Sequence, residues 1–400
     1  MDRFKLLDAG LKAFDASLPE VAPPLCVVTR YRSSSCRLCL DVCPTAAITP
    51  AKWLAVEPQR CTSCGACAAV CKTGALSYAA RQAALRERLR ELAAEGATTV
   101  VLACRRAGAA TAAPADAAAP ADAAALADAA ALADAAPTDP QGRIVLPCLG
   151  GLAAADLVAA AAFGLVAIEL LSGDCVACAD APAGAAVEPA LAAAAQTFLA
   201  LGVAVACTRR RVPGCEVQAA PDAPGLSRGD LFSFVARGLR RTAAEGTAPD
   251  KRGVAELHRQ TPPPVTRGWL LHDLARLANA APAASVRPAS AARPASAARL
   301  VREARLGVES LPANLPFGSV TVGAACDACG LCVRYCPHGS LAVRDDHLVV
   351  DGTTCSGCGL CAEVCPPAAL VVGPAALVGP APLPRRPAGD VSAPFRGVLL

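Results

Sequence analysis

Aromatic residues are scarce: the 400 residues hold 2 Trp, 3 Tyr and 8 Phe, 3% of the chain. A core short of large rings and rich in Ala and Val buries less apolar area per residue, so packing alone would hold it weakly. Long apolar runs are missing too. No stretch reaches the ~18 uninterrupted apolar residues of a membrane-spanning helix; residues 151–168 come nearest, and Asp156 interrupts them. The first 25 residues mix charges with short apolar runs, without a continuous apolar stretch or a twin arginine. No export signal is therefore expected, and a cytoplasmic location is. Also absent are a GxGxxG turn, a phosphate loop and a Ser–His–Asp pattern, the marks of common nucleotide-binding and acyl-transfer sites.

Cysteine is abundant instead, with 22 residues in three groups: Cys26–Cys71, Cys104–Cys215 and Cys326–Cys365. Clustered cysteines in a cytosolic chain point to metal or redox chemistry rather than disulfides. Two hexamer-repeat tracts, ADAAAP/ADAAAL at 115–136 and RPASAA at 287–299, separate the groups and read as linkers.

The last group contains CDACGLCVRYCP (326–337) and CSGCGLCAEVC (355–365) followed by Pro366, each C-x2-C-x2-C-x3-C-P. This run resembles the bacterial two-cluster ferredoxin. In that pattern three close cysteines hold three corners of one cubane, and the fourth crosses to the other cluster. Cys326, Cys329, Cys332 and Cys365 are then expected to hold one [4Fe–4S] cluster, and Cys355, Cys358, Cys361 and Cys336 the other. Gly330 and Gly359 let the backbone approach the sulfides. A zinc site would take four ligands and leave the eight-cysteine pattern unexplained. The tails HGSLAV (338–343) and PAALVV (367–372) match, so the domain reads as a duplication. His338 and His347 read as exposed tail residues.

The first group repeats the pattern with one irregularity. CTSCGACAAVC (61–71) has the full spacing, with Lys72 in place of proline. CRLCLDVCP (36–44) lacks its first cysteine, because position 33 is Ser33. Cys26 is the expected substitute, looping back over VVTRYRSSS; a three-iron cluster and a Ser33 oxygen ligand are the alternatives. One cluster would use Cys26, Cys36, Cys39 and Cys71, the other Cys61, Cys64, Cys67 and Cys43. Arg30, Arg32 and Arg37 beside this loop either raise the cluster's potential or are plain surface charges.

The middle group alternates strand and helix signals. Helix formers fill 79–95, with Gly96 suited to the helix end. Strands are predicted at 98–104, 143–148, 166–171 and 203–207, with helices at about 152–163 and 188–201. This predicts a small parallel sheet. Cys104, Cys148 and Cys207 would end strands, and Cys175 and Cys178 follow another, where ligand sites of open α/β sheets lie. Cys104, Cys148, Cys175 and Cys178 are expected to hold a [2Fe–2S] cluster or a zinc ion, to remain buried thiols, or, at Cys175 and Cys178, to form a redox dithiol. Cys207 and Cys215 read as a buried and a loop thiol. A parallel sheet with cysteines at these strand ends beside ferredoxin modules resembles the iron–sulfur (delta) subunit of methyl-viologen-reducing hydrogenases. That resemblance covers about 97–215, with 107–140 as an insertion, and implies a [2Fe–2S] cluster.

The expected architecture is therefore α+β ferredoxin-like dicluster domains at 22–80 and 316–375, with an α/β parallel-sheet domain at 97–215 and a basic linker or helical segment at 216–310. Residues 209–306 carry 17 basic and 8 acidic groups, net +9. Aromatics there are few (Phe232, Phe234, Trp269), so base stacking and nucleic-acid binding are poorly supported. The amphipathic run 227–241 is expected to pack on the chain's own sheet or to dock a partner. Four [4Fe–4S] clusters are expected, with a [2Fe–2S] cluster as one of the alternatives for the middle cysteines. The expected role is a non-catalytic relay of single electrons, an accessory subunit of a formate dehydrogenase- or hydrogenase-type complex with redox-protein partners. The alternatives are an oxidoreductase with its own active centre at the middle cysteines, and a redox sensor that binds nucleic acid through the basic segment.

Overall fold

The computed structural model describes residues 18–50, 54–107, 142–178, 180–212, 261, 263–280, 315–344, 347–373 and 381–382. Both repeat tracts, Cys215, Phe232, Phe234 and the amphipathic run 227–241 lie outside them.

The N-terminal module orders its elements as Glu20–Val21 (β1), Val27–Arg30 (α1), Leu38–Asp41 (α2), Ile48–Thr49 (β2), Ala55–Val56 (β3), Ala66–Val70 (α3) and Leu76–Ser77 (β4). Strand β1 pairs antiparallel with β4, Glu20 opposite Ser77, and β2 with β3, Ile48 opposite Val56. Each matching tail in the sequence thus ends in a strand, and each cysteine run forms a loop followed by one helical turn. A small core of Leu25, Cys26, Ile48, Leu54, Cys67, Ala75 and Leu76 holds the module.

The middle domain begins with Ala79–Ala94 (α4), Thr99–Cys104 (β5), Ile144–Leu146 (β6) and Ala154–Phe163 (α5). It continues through Ala167–Ser172 (β7), Ala181–Gly184 (α6), Val187–Leu201 (α7), Ala206–Arg211 (β8) and Val265–Ala280 (α8). The four strands form a parallel sheet in the order β6-β5-β7-β8. Alternation sorts the two faces. Val100, Leu102, Ile168 and Leu170 join Leu85, Leu89, Leu157, Phe198, Leu270 and Leu274 in the main core, so α4, α5, α7 and α8 cover one face. Ala103 and Leu171 look the other way, with Ala107 and Val212. The run Ala181–Leu201 has the length and composition of a membrane span, but its Val187, Ala193, Ala194 and Phe198 are packed in this core.

Three differences from the sequence reading stand out. Strand β8 starts three residues later than expected, so Cys207 sits at its second position opposite Ile168, at the beginning of the strand rather than its carboxyl end. The strand runs on through TRRR because an edge strand can turn polar side chains to water: Arg210 pairs with Glu169 at 2.6 Å. Within the stretch read as a basic linker or helical segment, α8 belongs to the middle core. Its Asp273 is fully buried against Arg86, whose guanidinium lies 5.3 Å from the rings of both Phe163 and Trp269. Finally, His338 is buried, not exposed. Its Nδ1 lies 3.3 Å from the Thr261 carbonyl, because the segment leading into α8 lies across it.

The C-terminal module repeats the first: Ser319–Val322 (β9), Leu331–Tyr335 (α9), Leu341–Arg344 (β10), His347–Val350 (β11), Leu360–Glu363 (α10) and Leu370–Gly373 (β12). Strands β9 and β12 pair antiparallel, as do β10 and β11, with Ala381–Pro382 (β13) added beside β11. Arg267 of α8 fastens this module to the middle domain. Its guanidinium donates to the carbonyls of Thr353 (2.7 Å), Pro316 and Cys355.

Candidate metal centres

The cysteine loops share one backbone pattern of left-handed residues. In three of them the glycine before the helical turn is left-handed: Gly65 (φ +85°), Gly330 (+75°) and Gly359 (+84°). Two residues earlier Ser63 (+57°), Ala328 (+57°) and Gly357 (+62°) are left-handed as well. Three residues after each fourth cysteine, Ala46 (+49°), Gly74 (+69°), Gly339 (+64°) and Ala368 (+49°) repeat the conformation. A left-handed alanine or serine costs about 1–2 kcal/mol. Its recurrence at one register marks a functional constraint. These turns aim amides at sulfur: Ala47 N–H donates to Cys43 Sγ, Ser340 to Cys336 and Ala369 to Cys365, each at 3.3 Å.

The irregular loop departs in backbone as well as sequence. Arg37 stands where the other loops have glycine, with φ −129°, and Ser33 is exposed. Cys26 is buried, at the end of a 3-10 turn over Pro23–Leu25. Burial, then the neighbouring Cys71, Cys26 and Cys36, push the Cys39 thiol up to about 12. Cys36 is raised by burial, and Cys71 and Cys26 add to it. Cys26, Cys36, Cys39 and Cys71 are thus one electrostatic group. Burial pushes the Cys67 thiol up, with Cys64, Cys61, Cys39 and Cys43 adding.

The C-terminal loops group in the same way. Burial lifts Cys332 to about 11, with Cys329, Cys326 and Cys365 as its thiol neighbours. Cys361 is raised by burial and then by Cys358, Cys355 and Cys336. Four thiols crowded away from water resist ionisation together, and ferric or ferrous iron supplies the positive charge that makes them thiolates. Cradle, amides and donor sets fit [4Fe–4S] clusters.

The middle thiols converge from three strand ends. Cys104 closes β5, Cys148 follows β6, and Cys175 and Cys178 follow β7; all four line one cavity with Ser172, Asp174 and Asp180. Amides again face sulfur: Ala107 N–H on Cys104, Gly150 on Cys148 and Asp180 on Cys178, each at 3.4 Å. Burial raises Cys148 to about 12, opposed by the Gly150 amide and aided by Cys64, Asp180 and Cys104. Arg209 adds a cation the sequence reading had not singled out. It donates to Cys175 Sγ at 3.0 Å, to Ser172 Oγ at 3.1 Å and to Glu188 at 2.6 Å. The signal for it was the alternation of TRRR along an edge strand. Among the described residues no three His, Cys, Asp or Glu side chains stand close enough to share a single ion. Cys207 stands apart from this group; burial alone raises it to about 11.

The arginines near the irregular loop separate. Arg32 and Arg37 are exposed, on the Pro50 carbonyl at 3.4 Å and on Asp41 at 3.2 Å. Arg30 is 5% exposed. Its Nε donates to the Pro24 carbonyl at 2.6 Å, and Cys336 and Cys358 of the other module lie within its field.

A family model described as the 4Fe-4S dicluster domain matches residues 34–75 and 325–369. The first match begins after Cys26, and neither covers the middle domain. Searches of curated proteins and of solved structures return no match. The chain carries two 4Fe-4S dicluster domains, one towards each end.

Proposed function

We propose that this iron–sulfur electron-transfer protein relays single electrons through four [4Fe–4S] clusters and one [2Fe–2S] centre, as a non-catalytic accessory subunit of a formate dehydrogenase- or hydrogenase-type complex. One observation carries the reading: the cysteine runs of both modules repeat one left-handed cradle, with Cys26 buried in the core of the irregular one, and this accommodates the sixteen cysteines as four groups of four. Such clusters gain and lose one electron with little movement of their ligands. The chain's own residues bind them, exclude water and set the local charge. Amides on Cys43, Cys336 and Cys365 favour the more negative, reduced state, and buried Arg30 favours it further.

The [2Fe–2S] assignment in the middle is supported by four thiols at three strand ends and by amides aimed at sulfur. The resemblance to the hydrogenase delta subunit supports both the cluster and the kind of complex. A cytoplasmic location accords with this many cysteines outside disulfides. The test is anaerobic purification with iron, sulfide and zinc counted per chain. About 18 irons is expected. About 16 removes the middle centre, and fewer than about 8 overturns the reading.

A further inference from the structure

The five groups of thiols lie beside one another in a single order. In the C-terminal module, Cys332 and Cys365 of the group Cys326, Cys329, Cys332 and Cys365 pack against the same small core as Cys336, Cys355 and Cys361 of the group with Cys358. Cys358 in turn lines one cavity with Cys26, Cys36, Cys39 and Cys71 of the N-terminal module. Val27, Leu360 and Val364 close around Cys36 and Cys358. The junction is tied on its flanks. Ser35 Oγ donates to Glu363 at 2.7 Å, and the rings of Tyr31 and Tyr335 meet edge to face at 6.0 Å.

Within the N-terminal module Cys26 and Cys67 share one buried core, with Cys39, Cys43 and Cys71 packed against it. Beyond it, Cys64 and Cys104 both neighbour Cys148. There the backbones all but touch: a Cβ on Gly151 would lie 2.6 Å from the Cys64 carbonyl oxygen and 3.2 Å from Gly65 Cα. Exposure follows the same sequence. The three inner groups each contain a buried cysteine: Cys336, Cys355 and Cys361, then Cys26, then Cys67. The two end groups contain none.

Resting on the reading of these groups as clusters, we propose that they form one unbranched relay. It runs from the Cys326/329/332/365 centre through Cys336/355/358/361, Cys26/36/39/71 and Cys43/61/64/67 to the middle centre at Cys104/148/175/178. At each step one electron leaves a reduced centre and enters the oxidised neighbour; no bond is made or broken and no proton moves. A one-electron-donating redox protein reduces one end, and a one-electron-accepting protein oxidises the other. Each of the inner three centres has at least one buried cysteine and the end centres have none, so the exchange with partners is assigned to the ends. The Cys36–Cys358 and Cys64–Cys148 junctions are the two links between modules.

Electron paramagnetic resonance of the full chain, reduced anaerobically with dithionite, tests the order through the magnetic splitting between neighbouring centres. Removing the middle centre in C104S/C148S is expected to change the splitting of the Cys43/61/64/67 signal alone, leaving on it only the part due to Cys26/36/39/71. C329A, at the other end, is expected to change only the Cys336/355/358/361 signal. C26A is expected to perturb both of its neighbours. Splitting lost from a C-terminal signal in C104S/C148S, or from the Cys43/61/64/67 signal in C329A, overturns the order, as does an unchanged pattern in all three variants. Iron counts keep the two proposals apart. A wild-type chain with about 16 irons lacks the fifth centre, and C329A and C26A then still decide the order of the other four.

Discussion

The Gly65–Gly151 contact invites a one-atom test. Replacing Gly151 with alanine places a Cβ 2.6 Å from the Cys64 carbonyl oxygen and 3.2 Å from Gly65 Cα. Both neighbours are backbone, in a loop already held left-handed by Gly65, so neither can swing aside as a side chain would. The 3-10 turn Leu149–Gly151 cannot retreat either, because a Cβ on Gly150 would meet the Ala183 carbonyl oxygen at 2.0 Å on its other side. Overpacking of this kind costs about 1–3 kcal/mol, and the strain falls on the Cys64–Cys148 junction. Gly268 is the control: it lies exposed within α8, and its added Cβ would meet nothing within 4 Å. G268A is expected to stabilise by about 0.5–1 kcal/mol, through helix propensity. The assay is anaerobic denaturation of the cluster-loaded chain, followed by circular dichroism and by loss of cluster absorbance. G151A should destabilise and release its N-terminal clusters earlier than wild type, while G268A moves the other way. A G151A chain as stable as G268A, with cluster release unchanged, would refute the contact.

Three further expectations follow from named residues. C26A should lose about one iron per chain and show a three-iron signal; an unchanged iron count and spectrum would remove Cys26 from the ligand set. R209Q withdraws the cation from Cys175 Sγ, so the middle centre should become harder to reduce. A redox titration showing a raised midpoint would contradict this. Burial pushes the Asp156 carboxyl up to about 6, although the Ala153 amide at 2.8 Å and Arg86 favour its charge. Because the folded value lies above the unfolded one, its stabilising contribution is full below about pH 4 and is lost as pH rises through about 6. D156N keeps an acceptor for Ala153 and should be the more stable chain above pH 6, by up to about 3 kcal/mol. Parallel stability–pH curves for the two proteins between pH 4 and 8 would sink the argument.

The division between what was legible and what was not follows the range of each interaction. Spacing alone marked the C-terminal cysteine runs as a 4Fe-4S dicluster domain, because three cysteines within one loop and a fourth before proline leave little freedom. Gly330 and Gly359 were readable as points of close backbone approach; that both are left-handed came from the structure. The alternation of apolar runs gave the parallel sheet, and the ends of β5 and β7 came out within a residue or two. Cys207 was misplaced because hydrophobicity stops at VAVAC, whereas the register of β8 against β7 carries the strand on to Arg211. His338 was misjudged because the residues that cover it are remote in sequence: Thr261 lies 77 positions away. Arg30 reads as one of three similar charges, and only its burial against the second module singles it out.

The sequence by itself determined the cysteine spacing of the two 4Fe-4S dicluster domains, and that Ser33 interrupts it in the first. Those relations are short-range, written in loop lengths that physical reach constrains. The tertiary structure alone decided which group stands next to which. Val27 meeting Leu360, Cys64 meeting Gly151 and Arg267 reaching Cys355 are contacts between segments far apart in the chain. Their pairing depends on how separately folded modules pack, and no local spacing encodes it.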